Sequence, residues 1–178
     1  MKLKLSLIFT LTMTVSCTGH DGRSSSPAPA GTKVVRDFVQ DFYNWYVPAA
    51  TNIGSGRPAD LALQNRPSAF DPALARRLKE DSDAQAKVPD DIVGLDFDPF
   101  LAAQDPCERY EVMNAEATAQ HYLVAVRGVG GCEKHDAADV IAEVASVNGA
   151  WVFVNFHYPG ERQSDLLTVL KRLRDDRR

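Results

Sequence analysis

The residues best equipped for chemistry crowd into one stretch, DIVGLDFDPFLAAQDPCERY at 91–110. It sets Asp91, Asp96, Asp98 and Asp105 among Leu95, Phe97, Phe100 and Leu101. Carboxylates among aromatics can bind a cation, move a proton, or cap backbone folded onto a core. A calcium loop requires oxygens at alternate positions, a glycine at the sixth and a glutamate at the twelfth. Counted from Asp96, the next oxygen falls on Asp98, but Phe100 and Leu101 occupy the following oxygen and glycine positions. No metal site is expected here. Acid–base work requires one buried carboxyl with a raised pKa beside a second group. Asp96 and Asp98 supply such a pair if the fold brings His157 or Tyr43 beside them, yet no Ser-His-Asp or Cys-His signature accompanies them. The capping reading is the strongest. Asp98-Pro99 repeats the device of Asp71-Pro72, in which the acid caps free N–H groups and proline takes the first helical position. A turn of helix then runs over 100–103, and Asp105-Pro106 ends it. Asp96 alone lacks a capping role and is the best functional candidate of the four.

Other candidates are scattered. Tyr43, Asn44 and Tyr158 are polar-tipped and suit the mouth of a pocket, and Trp45 and Trp151 suit the core or a pocket wall. His121 and His157 lie on expected strands and read as surface or satisfied core residues. Of the three cysteines, Cys132 stands at a ligand-like spacing from His135, but no second pair resembles a zinc finger or ribbon. No cofactor is expected.

The elements that must position these residues are legible from periodicity. Val35, Phe38, Val39, Phe42, Trp45 and Tyr46 fall on one helical face, in a helix with Thr32 as N-cap and Pro48 as its end. The stretch from 50 to 70, with two glycines and two prolines, reads as loop. A second helix runs from Pro72 to about Lys87 and mostly faces water. Strands are expected at 109–117, 120–128, 138–147 and 150–158, because YLVAVRG and WVFVNFHY are rich in β-branched and aromatic residues. Asn148-Gly149 marks a tight hairpin, since both positions favour positive φ. A final helix, capped by Ser164, buries Leu166, Leu167, Leu170 and Leu173, and the mixed-sign tail KRLRDDRR is a solvated helix end. Helices segregated from a four-stranded antiparallel sheet make an α+β fold. In the last strand Trp151 and Phe153 point one way, and Val152, Val154 and Phe156 the other. The outer face would then carry an apolar patch of the kind that marks an interface, with a homodimer or a docked protein on it.

The N-terminus bears on location. MKLKLSLIFTLTMTVSC has a basic start and an apolar run too short to span a bilayer, which needs about 20 residues, so it reads as a signal peptide. Thr14, Val15 and Ser16 before Cys17 resemble a bacterial lipobox, with threonine where leucine is usual. The resemblance implies cleavage after residue 16, lipidation of Cys17, and, with Thr18 next, sorting to the outer membrane of a Gram-negative cell. Residues 17–31, rich in Ser, Pro, Gly and Ala, form a tether, and 32–178 one domain of roughly 145 residues. With Cys17 acylated, Cys107 and Cys132 remain for one disulfide in an oxidising compartment. Without Lys2 and Lys4, the 20 basic residues fall to 18 against 24 acidic ones, a net charge of −6. No basic stripe interleaves with aromatics, which argues against nucleic acid as a partner.

The segments FVQDFYNWYV, GLDFDPFLAAQD and GAWVFVNFHYP together resemble an uncharacterised family of bacterial envelope proteins, many of them lipoproteins. That family is similar to the cone-shaped folds of nuclear transport factor 2 and the cystatins. The resemblance covers most of 32–173 and implies a curved sheet wrapped on the long first helix, but no reaction. The expected function is non-enzymatic: a lipid-anchored periplasmic module that binds a protein, in one version as an immunity-type inhibitor of an antibacterial toxin. The alternatives are an accessory subunit of an envelope complex, and a small-molecule binder or hydrolase using Asp96 and Asp98.

Overall fold

A computed structural model describes residues 30–52, 54, 56–88, 90–133, 136–160 and 164–177. Cys17, the signal peptide and nearly all of the tether lie outside the described residues, as does His135. Helix α1 spans Ala30–Thr51, α2 Pro58–Asn65 and α3 Pro72–Ala86. Strands β1 (Arg109–Ala117), β2 (Tyr122–Val129), β3 (Val140–Val147), β4 (Ala150–Tyr158) and β5 (Ser164–Asp165) follow, then α4 (Leu166–Asp176). The five strands form one antiparallel meander in sequence order. The fold is α+β, with a five-stranded open sheet where four strands were expected. The extra one, β5, is only two residues long and pairs with the end of β4.

Several local expectations hold. Asp71 caps α3, accepting from the Ala73 N–H at 2.8 Å. The β3–β4 hairpin turns at Asn148 and Gly149, both with positive φ (52° and 82°), the left-handed pair that a tight turn of this kind requires. Cys107 and Cys132 form a disulfide, with Cα atoms 5.1 Å apart, tying the foot of β1 to the end of β2.

Others are corrected. Helix α1 begins at Ala30, ahead of Thr32, and runs through Pro48 to Thr51. An exposed proline costs a helix one hydrogen bond, and Thr51 Oγ1 and Asn52 Nδ2 bond the carbonyls of Val47 and Pro48 to close the last turn. The expected loop holds α2, whose Pro58 starts the helix and whose Ala59 and Ala62 are buried. The cap of α4 is Asp165, not Ser164: it accepts from the Thr168 N–H. Leu167 is exposed, and Val169 takes the buried position in its place.

The sheet faces also differ from the simple alternation. Val144 pairs with Phe153 and Glu143 with Asn155, so Val154 is an extra residue in β4. This bulge shifts the parity of the strand. Phe153 and Phe156 therefore both point into the core and are fully buried, whereas simple alternation puts them on opposite faces. The buried residues of all four helices and the inward strand positions join in one cluster. Phe42 of α1 sits near its centre, within 6 Å of the rings of Phe70, Phe100 and Phe153.

Candidate functional site

The acidic segment is built on Asp98, which is 8% exposed. Its Oδ1 accepts from the N–H groups of Phe100 (2.9 Å) and Leu101 (3.2 Å), which makes it the cap of a tight turn. The backbone closes the turn again where the Asp98 N–H donates to the Ala103 carbonyl at 2.8 Å. Proline at 99 suits the turn's geometry, and Ala102 takes a positive φ of 55° to finish it.

Four tyrosine hydroxyls converge on this turn from three elements. Tyr43 and Tyr46 of α1 donate to the Phe100 carbonyl (2.7 Å) and to Asp98 Oδ2 (2.8 Å). Tyr158 of β4 donates to the Pro99 carbonyl at 2.9 Å, and Tyr110 of β1 to the Leu101 carbonyl at 3.3 Å. Each carbonyl of residues 99–101 thus has a phenol as partner, so buried backbone that belongs to no helix or sheet is satisfied. Burial pushes the Asp98 carboxyl up to about 6, against the pull of its three hydrogen bonds. Burial first, and the Asp98 charge second, push Tyr43, Tyr46 and Tyr158 well above the ordinary phenol value. Burial takes Tyr110 up to about 12. All four phenols therefore stay protonated and donate near neutral pH.

The proposed carboxylate pair is not assembled. Asp98 is inside, while Asp96 is exposed and only its carbonyl is bonded, accepting from Gln104 Nε2 at 3.0 Å. His157 lies on the opposite face of the sheet, where its Nε2 meets Glu143 Oε2 at 2.9 Å. Nδ1 of His121 reaches the other oxygen of Glu143 at 2.5 Å. This His–Glu–His row, half-buried, crosses the outer face beside Leu123, Ala125 and Ile141. The outer face is thus mixed in character rather than a plain apolar patch. Among the described residues no group of three or more His, Cys, Asp or Glu is placed to hold a metal ion.

Of the remaining candidates Tyr158 lines a groove, while Trp45, Trp151 and Asn44 line neither of the two grooves beside the acidic segment. Trp45 packs on Phe42 and Tyr46, with the Arg66 guanidinium 4.9 Å above its ring. Trp151 meets Tyr122 edge to face. Asn44 is exposed and accepts from Gln40. The Tyr158 ring, stacked edge-on against Phe97, forms part of a groove.

Two grooves flank the segment. The larger, about 1150 Å³, runs between residues 92–97, the end of β4 and α4. The smaller, about 630 Å³, lies between the same residues, the start of α2 and α3. Ile92, Leu95, Asp96, Phe97 and Gln104 line both, so residues 92–97 form a ridge. The ridge is held from behind. The Gln85 side chain accepts from the Val93 and Gly94 N–H groups and donates to the Val88 and Asp91 carbonyls. Asp81, 4% exposed, accepts from the Leu95 N–H and from Arg177 Nη1 at 2.6 Å, and Arg177 also donates to the Val93 carbonyl. Arg177 therefore belongs to a buried ion pair, not to the solvated helix end expected of the tail. The signal for Gln85, Asp81 and Arg177 in the sequence was slight: an acid at the buried spacing from Leu74 and Leu78.

Comparison with known proteins brings no match: no family model fits the chain, and neither a curated protein nor a solved structure is similar to it.

Proposed function

We propose that this protein is a non-enzymatic, lipid-anchored binding module of the periplasm, held at the outer membrane through Cys17, that captures another protein. The sheet on the long helix is read as a cone of the nuclear-transport-factor-2 and cystatin kind, as the resemblance of FVQDFYNWYV and GLDFDPFLAAQD to the envelope family implies. The observation that carries the reading is the fate of the acidic segment. Its one buried carboxylate is fully engaged in capping a turn, and the part left to solvent is a fixed ridge between two grooves. A preformed surface of that sort lowers the ordering cost of association. Asp96, the candidate with no capping duty, stands on the ridge.

One version of the partner is an antibacterial toxin, which makes this chain an immunity-type inhibitor whose net charge of −6 would steer a cationic toxin. The other is an envelope complex to which the chain is accessory. The test is chemical crosslinking in living cells that make the full-length protein, followed by identification of what is attached. Recovery of a secreted toxin supports the first version and of an outer-membrane channel or pump the second. Recovery of the chain alone, at crosslinker levels that join known envelope complexes, would rule out the binding role.

A further inference from the structure

We infer that the partner docks on the ridge at residues 92–97 and the acids just before it, with Ile92 as the apolar anchor, and that the docking element is a cationic segment of a protein. This rests on the binding role proposed above and names its surface and the chemistry of its occupant.

Three observations lead there. First, Ile92 is 72% exposed, the most exposed of the large apolar residues in the described structure. It stands on backbone pinned by Gln85, Asp81 and Arg177, so the side chain is presented in place instead of on a loose loop. Rigid apolar anchors beside pockets are where interface energy concentrates. Leu95 and Phe97 extend the apolar strip into both grooves.

Second, backbone groups on both edges of the sheet are partly taken up, which disfavours the other common way of binding a polypeptide. Adding a strand to a sheet needs free backbone groups on an edge. On β1 the Gln40 amide takes the Tyr110 carbonyl and the Val112 N–H, and Arg36 takes the Met113 carbonyl. Beyond β5, the Phe153 carbonyl of β4 accepts from the Asp71 N–H. The grooves are the more open surfaces.

Third, the charge is one-sided. Residues 88–108 include Asp90, Asp91, Asp96, Asp98, Asp105 and Glu108 and neither lysine nor arginine. Asp90, Asp91, Asp96 and Asp105 are exposed. Of the cations nearby, Arg177 is taken up by Asp81 and the Val93 carbonyl, Arg57 donates to the Ser82 carbonyl in the smaller groove, Arg172 stands on the far wall of the larger one, and Lys87 precedes the segment. Complementary charge selects a partner and speeds encounter, so the fitting element carries lysine or arginine around an apolar side chain that packs on Ile92.

The experiment places a photo-crosslinking amino acid at Ile92 of the full-length protein, and in a control at Val147, which is 42% exposed near the β3–β4 hairpin. The expected result is a protein adduct from position 92 and not from 147, with the joined peptide rich in lysine or arginine. Asp90→Lys combined with Asp96→Lys should weaken the adduct at least about tenfold, as should raising the salt to about 0.5 M. Neither carboxylate makes a hydrogen bond among the described residues, and an unchanged melting temperature shows that the double variant is folded. Equal adducts from both positions, an adduct with lipid or with a second copy, or indifference to charge reversal would each overturn the inference. If position 92 yields nothing while general crosslinking still recovers a partner, the ridge is wrong and the binding role stands. If neither recovers one, both fail.

Discussion

Asp98→Asn tests the account of the acidic segment quantitatively. The Asp98 carboxyl stands at about 6 in the folded protein against an ordinary value of 3.8. Between those values the folded chain keeps a proton that the unfolded chain has lost. The native state is thus favoured at low pH, and that favour disappears as pH rises through 6. Two units at about 1.4 kcal/mol each come to about 3 kcal/mol. Asparagine removes the titration and keeps the turn. Its Oδ1 still accepts from the Phe100 and Leu101 N–H groups, and its amide donates to the Tyr46 oxygen. Urea unfolding followed by tryptophan fluorescence, from pH 4 to pH 8 with the disulfide intact, gives both stabilities. Taking wild type minus variant cancels the other titrating groups. That difference should fall by about 2.4 kcal/mol between pH 4 and pH 7, since part of the loss precedes pH 4, and then level off. A difference independent of pH would refute the claim that Asp98 is desolvated inside the turn. A difference that rises with pH would mean that its hydrogen bonds outweigh burial. Asp98→Ala, which removes the cap and leaves the Tyr46 hydroxyl unpaired, should cost about 2–4 kcal/mol across this range.

Further outcomes follow from the same contacts. Tyr43→Phe and Tyr158→Phe should each destabilise by about 1–2 kcal/mol, because each leaves a buried carbonyl without its donor; two neutral results in denaturant titrations would contradict the role given to the phenols. Arg177→Ala strands the buried Asp81 carboxylate and should cost about 3–5 kcal/mol, read from the same titrations, whereas loss of a merely solvated helix end would cost almost nothing. Replacing Cys107 and Cys132 with serine, or reducing them, should lower stability by about 3 kcal/mol through the freed 25-residue loop.

Local signals carried the sequence reading a long way, and distant convergence limited it. The strands and the Asn148-Gly149 hairpin were legible because alternation and turn chemistry act over a few residues. The capping role of Asp98 was legible because Asp-Pro is a local device. The four tyrosines were present as residues, yet their joint grip on residues 98–101 spans separations of 9 to 59 positions, and no local pattern records that. The bulge at Val154 hid for a related reason. WVFVNFHY is apolar at both parities, so the core, not the pattern, decides where the extra residue goes. The short α2 was masked by the prolines around it, Pro58, which begins the helix, and Pro67, which follows it. Pro48 misled in the other direction, since a proline near a helix end removes one hydrogen bond without stopping the helix, and Thr51 and Asn52 satisfy carbonyls of the last turn. His157 was placed with the acids by type, whereas its strand puts it on the opposite face with Glu143.

The central claim is that the chain is fastened outside the cytoplasm by acyl groups and works by touching a partner. The most direct measurement is mass spectrometry of the N-terminal peptide of the native protein from its own cells. The account predicts a chain that starts at Cys17 and carries diacylglycerol on the sulfur. A chain that still carries residues 1–16, or one with Cys17 unmodified, would contradict it.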